Sequence, residues 1–265
     1  MVNTVYVLPI IIFVWFPTTF LVTYVIAVIK KDVNPIFPYI SDSGTFSPES
    51  CIFGQMLNTG AILMMIFMYI RHKHVAFLCE RHNMHSMIKS TNIISGWFGG
   101  FGAFGVTIVG NFQETNVFFV HVIGAFLSFG FGAVWQIIQT WISFKIFPYS
   151  GLTILNKIRL MLSIICVCCF FTCSLCGLIG WFNFKGEDVT KWTKNDGGFT
   201  FHIISTVAEW FDAIGLMVFI LTFAPELRNI TIEKPQIKIW ERVLVESVAA
   251  SQSAFSNNGG EFDRY

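Results

Sequence analysis

The chain contains 265 residues, of which 54% are apolar and only 12% are charged. An ordinary soluble domain carries roughly a quarter charged residues, so this composition excludes a soluble protein and indicates an integral membrane protein that has the lipid bilayer as a partner. The formal net charge of +1 gives no reason to expect nucleic-acid binding.

Six stretches with few or no charges each reach the roughly 20 residues that cross the hydrocarbon core of a bilayer. They are 5–29, 52–70, 93–113, 115–144, 160–184 and 197–225. A backbone in lipid must satisfy its own hydrogen bonds, so we predict an all-α integral membrane domain over 1–225, a bundle of six transmembrane helices. The first stretch is too long for a signal-peptide core and has no small-residue cleavage site, so we interpret it as a retained span.

A loop of prolines and apolar side chains, residues 30–47, follows the first span; we refer to it as the cap loop. Asn34-Pro35 and Phe37-Pro38 exclude helix, and the run from Ser41 to Gly44 favours turns with side-chain-to-backbone bonds. Its large apolar side chains are Phe37, Tyr39, Ile40 and Phe46. We predict a compact cap over the outer ends of the helices with its aromatic residues buried. The alternative is an incidental loop with interfacial aromatic residues.

The start of span two has the features of a helix N-terminus. Ser47 is predicted to cap the helix, Pro48 suits the first helical position and Glu49 lies near the positive end of the dipole. The candidate cap motif therefore comprises Phe37, Pro38, Tyr39, Asp42, Gly44, Pro48 and Glu49.

Glycines recur along spans three and four, from Gly96 to Gly110 and from Gly124 to Gly132. They include Gly96-x-x-x-Gly100 and Gly102 to Gly105, and this pattern predicts close packing of the two helices. Between spans four and five, Tyr149-Ser-Gly-Leu152 fits a tyrosine-based endolysosomal sorting pattern.

Span five contains five of the seven cysteines. A small soft apolar side chain is the ordinary role of cysteine in such a helix, and no His or carboxylate accompanies them there, so we expect no metal site. Pairing of Cys51 with Cys176 stays open.

Polar residues inside the membrane are functional candidates by default, because a carboxylate at mid-bilayer costs at least about 2.5 kcal/mol. At about 1.5 Å per residue, Asn58 and Glu209 lie roughly 15 Å deep and Asp212 roughly 20 Å, whereas His121 and His202 lie about 5 Å below the outer surface. We therefore predict an outer layer, with the histidines beside the Asp42 and Glu49 region and Gln113-Glu114. A middle layer would contain Asn58, Thr206, Glu209 and Asp212.

Three interpretations of these residues stay open. The first is interhelical hydrogen bonding that fixes the packing, and the second is a proton or substrate path. The third is a zinc-dependent lipid hydrolase, for which the sequence has no His-Glu-x-x-His or Gly-x-Ser-x-Gly motif. We expect no catalytic residue, no cofactor and no metal.

The tail, 226–265, is the only other separate segment. Between 237 and 248, apolar residues fall on one helical face and charged residues opposite, which predicts an amphipathic helix on the membrane surface or against a partner.

Orientation follows from the distribution of basic residues in the short loops. With a cytosolic N-terminus, the inner loops and tail hold 12 of the 17 Lys and Arg residues and the outer loops hold 5. Both termini are therefore predicted to be cytosolic, with the cap loop on the luminal or extracellular side.

Several motifs, in order and at the same spacing, resemble one known family. They are Phe37-Pro-Tyr-Ile-Ser-Asp-Ser-Gly-Thr45, Pro48-Glu49, Phe53-Gly54, Leu57-Asn58, Asn111-Phe112-Gln113, His121 with Gly124-Ala125, Ile158-Arg159 and His202 with Ser205 and Glu209-Trp210. Over about 1–232 the chain resembles the damage-regulated autophagy modulator (DRAM) proteins and their transmembrane-150 relatives. Two patterns favour the DRAM branch: Asn111-Phe112-Gln113 and the residues from His202 to Trp210. In the loop motif, however, Ser43 stands where we expect Thr.

The resemblance implies six spans with both ends cytosolic and supplies no catalytic residue. DRAM-type members imply a lysosomal or endosomal protein that promotes autophagy, with cytosolic autophagy proteins as partners. Transmembrane-150 members imply a plasma-membrane regulator of phosphatidylinositol 4-kinase recruitment, and a distant branch implies remodelling of glycosylphosphatidylinositol lipids. We expect a non-enzymatic regulator. The alternatives are phosphoinositide signalling through lipid-kinase proteins, a transporter or channel using Glu209, Asp212 and His202, or a lipid-remodelling hydrolase. The oligomeric state is left open.

Overall fold

A computed structural model describes residues 4–232 and 248–253 of the chain. Its first compact unit, Met1–Thr231, contains six long helices. They are α1 Val7–Lys30, α2 Glu49–Arg81, α3 Ser86–Asn111, α4 Phe118–Ile146, α5 Thr153–Asn183 and α6 Phe199–Leu221, followed by the one-turn helix α7 Ala224–Leu227. The six helices, the last taken together with α7, are long and apolar enough to cross a bilayer, and the described residues contain no strand. The predicted all-α, six-span fold is therefore confirmed.

The helices form a closed ring in chain order. Each helix packs against the next one along the chain, and α6 completes the ring by packing against α1. Of the six spans, the one formed by α6 and α7 is the most buried and α5 is the least. We call the end of the ring that carries the cap loop the loop end, and the opposite end the tail end. The orientation of these ends relative to the cytosol stays a prediction.

The predicted close packing of α3 and α4 is present at Gly105 but not at Gly96-x-x-x-Gly100. A Cβ at Gly105 would lie 2.5 Å from the backbone nitrogen of Ser128 and 2.7 Å from the carbonyl oxygen of Gly124, so the two backbones meet at this point. At Gly100 a Cβ would meet no atom within 4 Å, and at Gly96 only His72, at 3.8 Å. Gly96-x-x-x-Gly100 is therefore turned away from α4, because the helical face that carries Gly105 is a different one.

The second unit, Ile232–Tyr265, is described at residue 232 and at 248–253, and the latter residues are helical. Most of the predicted amphipathic helix 237–248 lies outside the described residues. The first unit also contains α7, in which Glu226 is buried, and the domain end at 225 stays a prediction.

Candidate functional site

The cap loop inserts into the bundle and contacts α6 well below its first turn. Residues 38–40 lie against α6, and Ile40 belongs to the main apolar core with 5% exposure. Three hydrogen bonds join the two segments: Tyr39 Oη to Ser205 Oγ at 2.7 Å, Ile40 N–H to Glu209 Oε2 at 2.8 Å, and Trp210 Nε1–H to the Pro38 carbonyl at 3.0 Å. The cap loop is thus inserted into the helix ring and does not simply cover its ends. We call its inserted residues, 38–41, the wedge.

The bond to Glu209 follows from the local backbone. Pro38 prevents regular secondary structure just before Ile40. The buried amide of Ile40 therefore has no carbonyl of a neighbouring helix turn or strand that could accept its hydrogen. A buried N–H without a partner costs about 1–3 kcal/mol, and a carboxylate is a strong acceptor for it. The deep acid of α6 therefore supplies the acceptor that the loop needs.

Asp42 closes the turn that follows. Its Oδ2 accepts a 3.0 Å bond from the Tyr39 amide, and Asp42–Gly44 form a 3₁₀ turn, as the sequence predicts for a turn with a side-chain-to-backbone bond. At Gly44 a Cβ would lie 2.3 Å from the Phe53 ring, so this turn packs directly on α2. Burial, followed by the nearby carboxylates of Glu114 and Glu209, raises the pKa of Asp42 well above its usual value.

The predicted burial of the aromatic residues is wrong for two of them. Phe37 is 53% exposed and Phe46 is 37% exposed, whereas Tyr39 and Ile40 are inserted. Phe37 has a φ of +44°, and this left-handed turn directs the chain so that the following residues, not Phe37, enter the groove.

The start of α2 also differs from its prediction. Pro48 is the N-cap residue rather than the first helical residue, and no side chain, including that of Ser47, caps the helix. Glu49 lies in the first turn and is fully buried, and its Oε2 pairs with Lys30 Nζ at 3.2 Å. This ion pair joins the end of α1 to the start of α2.

The predicted middle layer is divided. Asn58 exchanges two hydrogen bonds with Asn111 of α3, at 2.9 and 3.1 Å, so its amide is engaged on the α2–α3 side of the bundle. Thr206 bonds within its own helix to the Ile203 carbonyl. Only Glu209 and Asp212 remain of that layer, and both line a cavity between α4, α5 and α6.

The two histidines have different surroundings. Nδ1 of His121 lies 2.7 Å from the carbonyl oxygen of Phe112 at the end of α3. His202 is 3% exposed and lies between the rings of Tyr39 and Trp192, with centroid distances of 5.2 and 4.3 Å. Within the described residues no three His, Cys, Asp or Glu side chains are grouped for a metal ion, and each of the seven cysteines is free, Cys51 and Cys176 included.

Glu114, which the sequence places in the outer layer, reaches the wedge. Its Oε2 accepts a 3.0 Å bond from Ser41 Oγ, and it lines the same cavity as Glu209 and Asp212. The site therefore gathers three carboxyl groups around one space, one from the connection between α3 and α4 and two from α6. Chemically, such a group accepts hydrogen bonds and attracts cations.

A second polar network lies at the tail end, and no sequence motif predicted it. Glu226 of α7 pairs with Arg71 of α2 at 2.8 Å and with Arg159 of α5 at 2.5 Å, and the three side chains are at most 2% exposed. Gln139 and Ser143 of α4 bond to Arg71, and Ser143 also bonds to Arg159. The network thus joins four spans.

The ring of Phe223 completes this network. The guanidinium carbons of Arg71 and Arg159 lie 4.6 and 3.8 Å from its centroid. A single basic residue at the end of an apolar stretch is typical of a solvated helix end, and the charge count assigns both arginines to the inner loops. The available signal was Glu226, an acid directly after an apolar span at the end of the bundle where two other span ends carry Arg71 and Arg159.

Comparison with known proteins gives a consistent result. The Frag1/DRAM/Sfk1/Cwh43P N-terminal domain family matches residues 4–230. The chain is 33% identical over 228 residues to DNA damage-regulated autophagy modulator protein 2 of Bos taurus, covering 85% of both chains. It is 33% identical to protein 1 of Homo sapiens, covering 84% of this chain and 91% of that one. It is 38% identical over 161 residues to the modulator of macroautophagy TMEM150B-B of Xenopus laevis, covering 60% and 67%. No solved structure matches.

Proposed function

The chain belongs to the Frag1/DRAM family of multipass membrane proteins, and from this premise we propose that it is a non-enzymatic regulator that promotes autophagy in the lysosomal or endosomal membrane. In this proposal the cap loop faces the lumen and both ends of the chain face the cytosol, where autophagy proteins are its partners. The observation that carries the proposal is the length of the similarity: relatives named as autophagy modulators match 84–85% of the chain, and the family match over 4–230 includes the whole helix ring.

The geometry supports a regulator that acts by presenting one stable surface to a partner protein. The wedge holds α6 at the loop end through Ser205, Glu209 and Trp210. The network around Glu226 holds the chain just after α6 to α2 and α5 at the other end. Buried polar networks with every member paired favour one packing arrangement, so the tail end would present one defined face to a partner.

The sorting pattern supports the endolysosomal location. Tyr149 and Leu152 are 54% and 57% exposed in the connection between α4 and α5, so both side chains are accessible. We expect Tyr149→Ala to shift a tagged full-length chain from lysosomes to the plasma membrane. Ile154→Ala is the matched control, because this residue is 60% exposed at the same end and lies outside the pattern. A chain that stays at the plasma membrane without any substitution contradicts the location.

Autophagic flux tests the function itself. The full chain is expressed at graded levels, and degradation of an autophagosome marker is compared with and without a block of lysosomal proteolysis. Flux should rise with expression and return to baseline in Glu226→Ala, which removes the partner of two buried arginines. Unchanged flux with altered phosphatidylinositol 4-phosphate at the plasma membrane would favour the lipid-kinase alternative. Proton-coupled flux in liposomes that Glu209→Gln abolishes would favour a transporter.

A further inference from the structure

A cavity of about 560 Å³ lies between the loop-end halves of α4, α5 and α6. Ligand pockets in proteins typically measure about 300–1,000 Å³, so its size suits a small amphipathic molecule. Tyr39 and Ser41 of the cap loop line one side of it. Most of its wall is apolar: Phe118, Phe119, Phe126, Phe129, Phe170 and Leu178.

Two exposed lining residues, Phe119 of α4 at 81% and Leu178 of α5 at 56%, indicate that the cavity opens toward the bilayer between these helices. Two aromatic pairs join these helices: Phe118 with Trp181, at a centroid distance of 4.7 Å, and Phe126 with Phe170, at 5.7 Å. Elsewhere the loop-end half of α4 packs mainly on α3, and α5 packs mainly on α6. The cavity residue Leu178, between the two pairs, is 56% exposed on the lipid-facing surface. A molecule dissolved in the bilayer can therefore enter sideways.

The helix geometry at the inner edge of this opening is unusual. Residues Phe126–Phe131 of α4 are π-helical, and Phe126 and Phe129 of this segment line the cavity. Single π turns inside α-helices occur frequently at functional sites, because they reposition side chains without ending the helix.

The polar end of the cavity is acidic. Glu114, Glu209 and Asp212 line it, no Lys or Arg is found among its described lining residues, and none of the three acids forms an ion pair with a described residue. Asp212 is 3% exposed. Within the part of the chain that the structure describes, the Cys166 thiol is a weak donor beside Asp212, and it bonds to the backbone carbonyl of that residue at 3.8 Å. A carboxylate buried in this way is stabilised by a cation, and without one it takes up a proton.

The geometry points to a binding site for a lipid-like amine: a molecule with one ammonium group, no phosphate and an apolar tail. The ammonium group would lie among the three carboxyl groups, beside the ring of Tyr39, which can add a cation–π contact. The tail would lie along the phenylalanines and leave through the opening into the bilayer. Anionic and phosphate head groups are disfavoured, because the lining acids repel them and no lining Lys or Arg attracts them.

Three probes with one tail and different head groups test this site: oleylamine, oleyl alcohol and oleate. The full chain is purified into phosphatidylcholine nanodiscs, and binding is measured by equilibrium partitioning against empty nanodiscs and by the shift in unfolding temperature. We expect saturable binding of oleylamine only. The double variant Glu209→Gln, Asp212→Asn should weaken it at least about tenfold, because it removes the charge and keeps the shape. Glu187→Gln, an exposed acid in the connection between α5 and α6, should not change it.

A second variant avoids the buried acids and any effect that they have on folding. Ser174 lines the cavity and is exposed at its rim, so Ser174→Trp should fill the entrance and reduce oleylamine binding. Leu175→Trp is the matched control, because the adjacent Leu175 is 59% exposed and is not part of the lining. Equal binding of the three probes, or oleylamine binding that survives both the double variant and Ser174→Trp, would overturn the proposal. The assay uses no autophagy readout, so its outcome is independent of the proposed function.

Discussion

The backbone amide of Ile40 donates a 2.8 Å hydrogen bond to Oε2 of Glu209, joining a loop between two spans to the middle of the sixth. The two residues are 169 positions apart in the chain. The contact gives one buried acid a structural role, because it satisfies an amide that no regular element satisfies. It also orients the carboxyl group toward the cavity that Asp212 and Glu114 share.

Removing the Glu209 carboxylate, which accepts the hydrogen bond from the Ile40 amide, should release the wedge from the helix ring. In Glu209→Ala the Ile40 amide loses its partner, which should cost about 1–3 kcal/mol, whereas Glu209→Gln keeps an acceptor oxygen and should have a smaller effect. Ser43→Cys is a suitable probe, because Ser43 is 1% exposed and its hydroxyl has no partner within the described residues. In a Cys51→Ser background in nanodiscs, maleimide labelling of this cysteine should be about tenfold faster with Glu209→Ala.

The labelling experiment has an internal control. Phe37 is 53% exposed, so Phe37→Cys should react at the same rate whether residue 209 is Glu, Gln or Ala. If Ser43→Cys reacts equally slowly in all three backgrounds, the bond from Ile40 does not hold the wedge in place.

Loss of Glu226 should destabilise the tail end strongly. Glu226→Ala leaves two buried guanidinium groups without a countercharge, and breaking a buried pair in this way typically costs about 3–5 kcal/mol. The unfolding temperature in detergent should fall clearly, with a smaller decrease for Glu226→Gln. Glu80→Ala, an exposed acid near the end of α2, serves as the control and should have no measurable effect. Similar unfolding temperatures for Glu226→Ala and Glu80→Ala would show that the ion cluster is not a stabilising element.

Two glycines of α3 should respond in opposite ways to the same substitution. Gly105→Ala forces a methyl group against the Ser128 and Gly124 backbone and should cost about 1–3 kcal/mol by overpacking. Gly100→Ala meets open space and should be neutral or slightly stabilising, because alanine is the better helix former. Thermal unfolding and the fraction of monodisperse protein after purification measure both. A destabilised Gly100→Ala with an unaffected Gly105→Ala would contradict the α3–α4 interface.

Asp42 should make stability depend on pH. Its pKa is raised in the folded protein, so folded protein retains a proton that the unfolded chain releases above about pH 4. The stability that Asp42 contributes is fully present below that pH and is lost as pH rises through the folded-state pKa. Asp42→Asn is neutral at every pH and can still accept from the Tyr39 amide. The unfolding temperature of the parent should therefore decrease relative to Asp42→Asn as pH rises, and a constant difference from pH 4 to 8 would contradict this assignment.

The helices and the family could be predicted from sequence because both depend on local information. Apolar length identified the six spans, although α2 continues to Arg81, beyond the predicted end at 70, since a helix can extend past its apolar stretch into water. The turn at Asp42 was predicted from residue types that form such turns, and it is present. The prediction of close packing at Gly96-x-x-x-Gly100 is wrong, because spacing alone does not tell which face of a helix meets its neighbour.

The sequence by itself determined that this chain crosses the membrane six times, that its first loop is too apolar to be free, and that acids lie deep in the last span. Each of these follows from the transfer energies of side chains along a short stretch of chain. Only the tertiary structure decided that the loop enters the bundle, that Asn58 pairs with Asn111 away from Glu209, and that Arg71, Arg159 and Glu226 are buried together. These contacts join residues that are far apart in the chain, and the partner of a buried polar group depends on how the helices are rotated against one another.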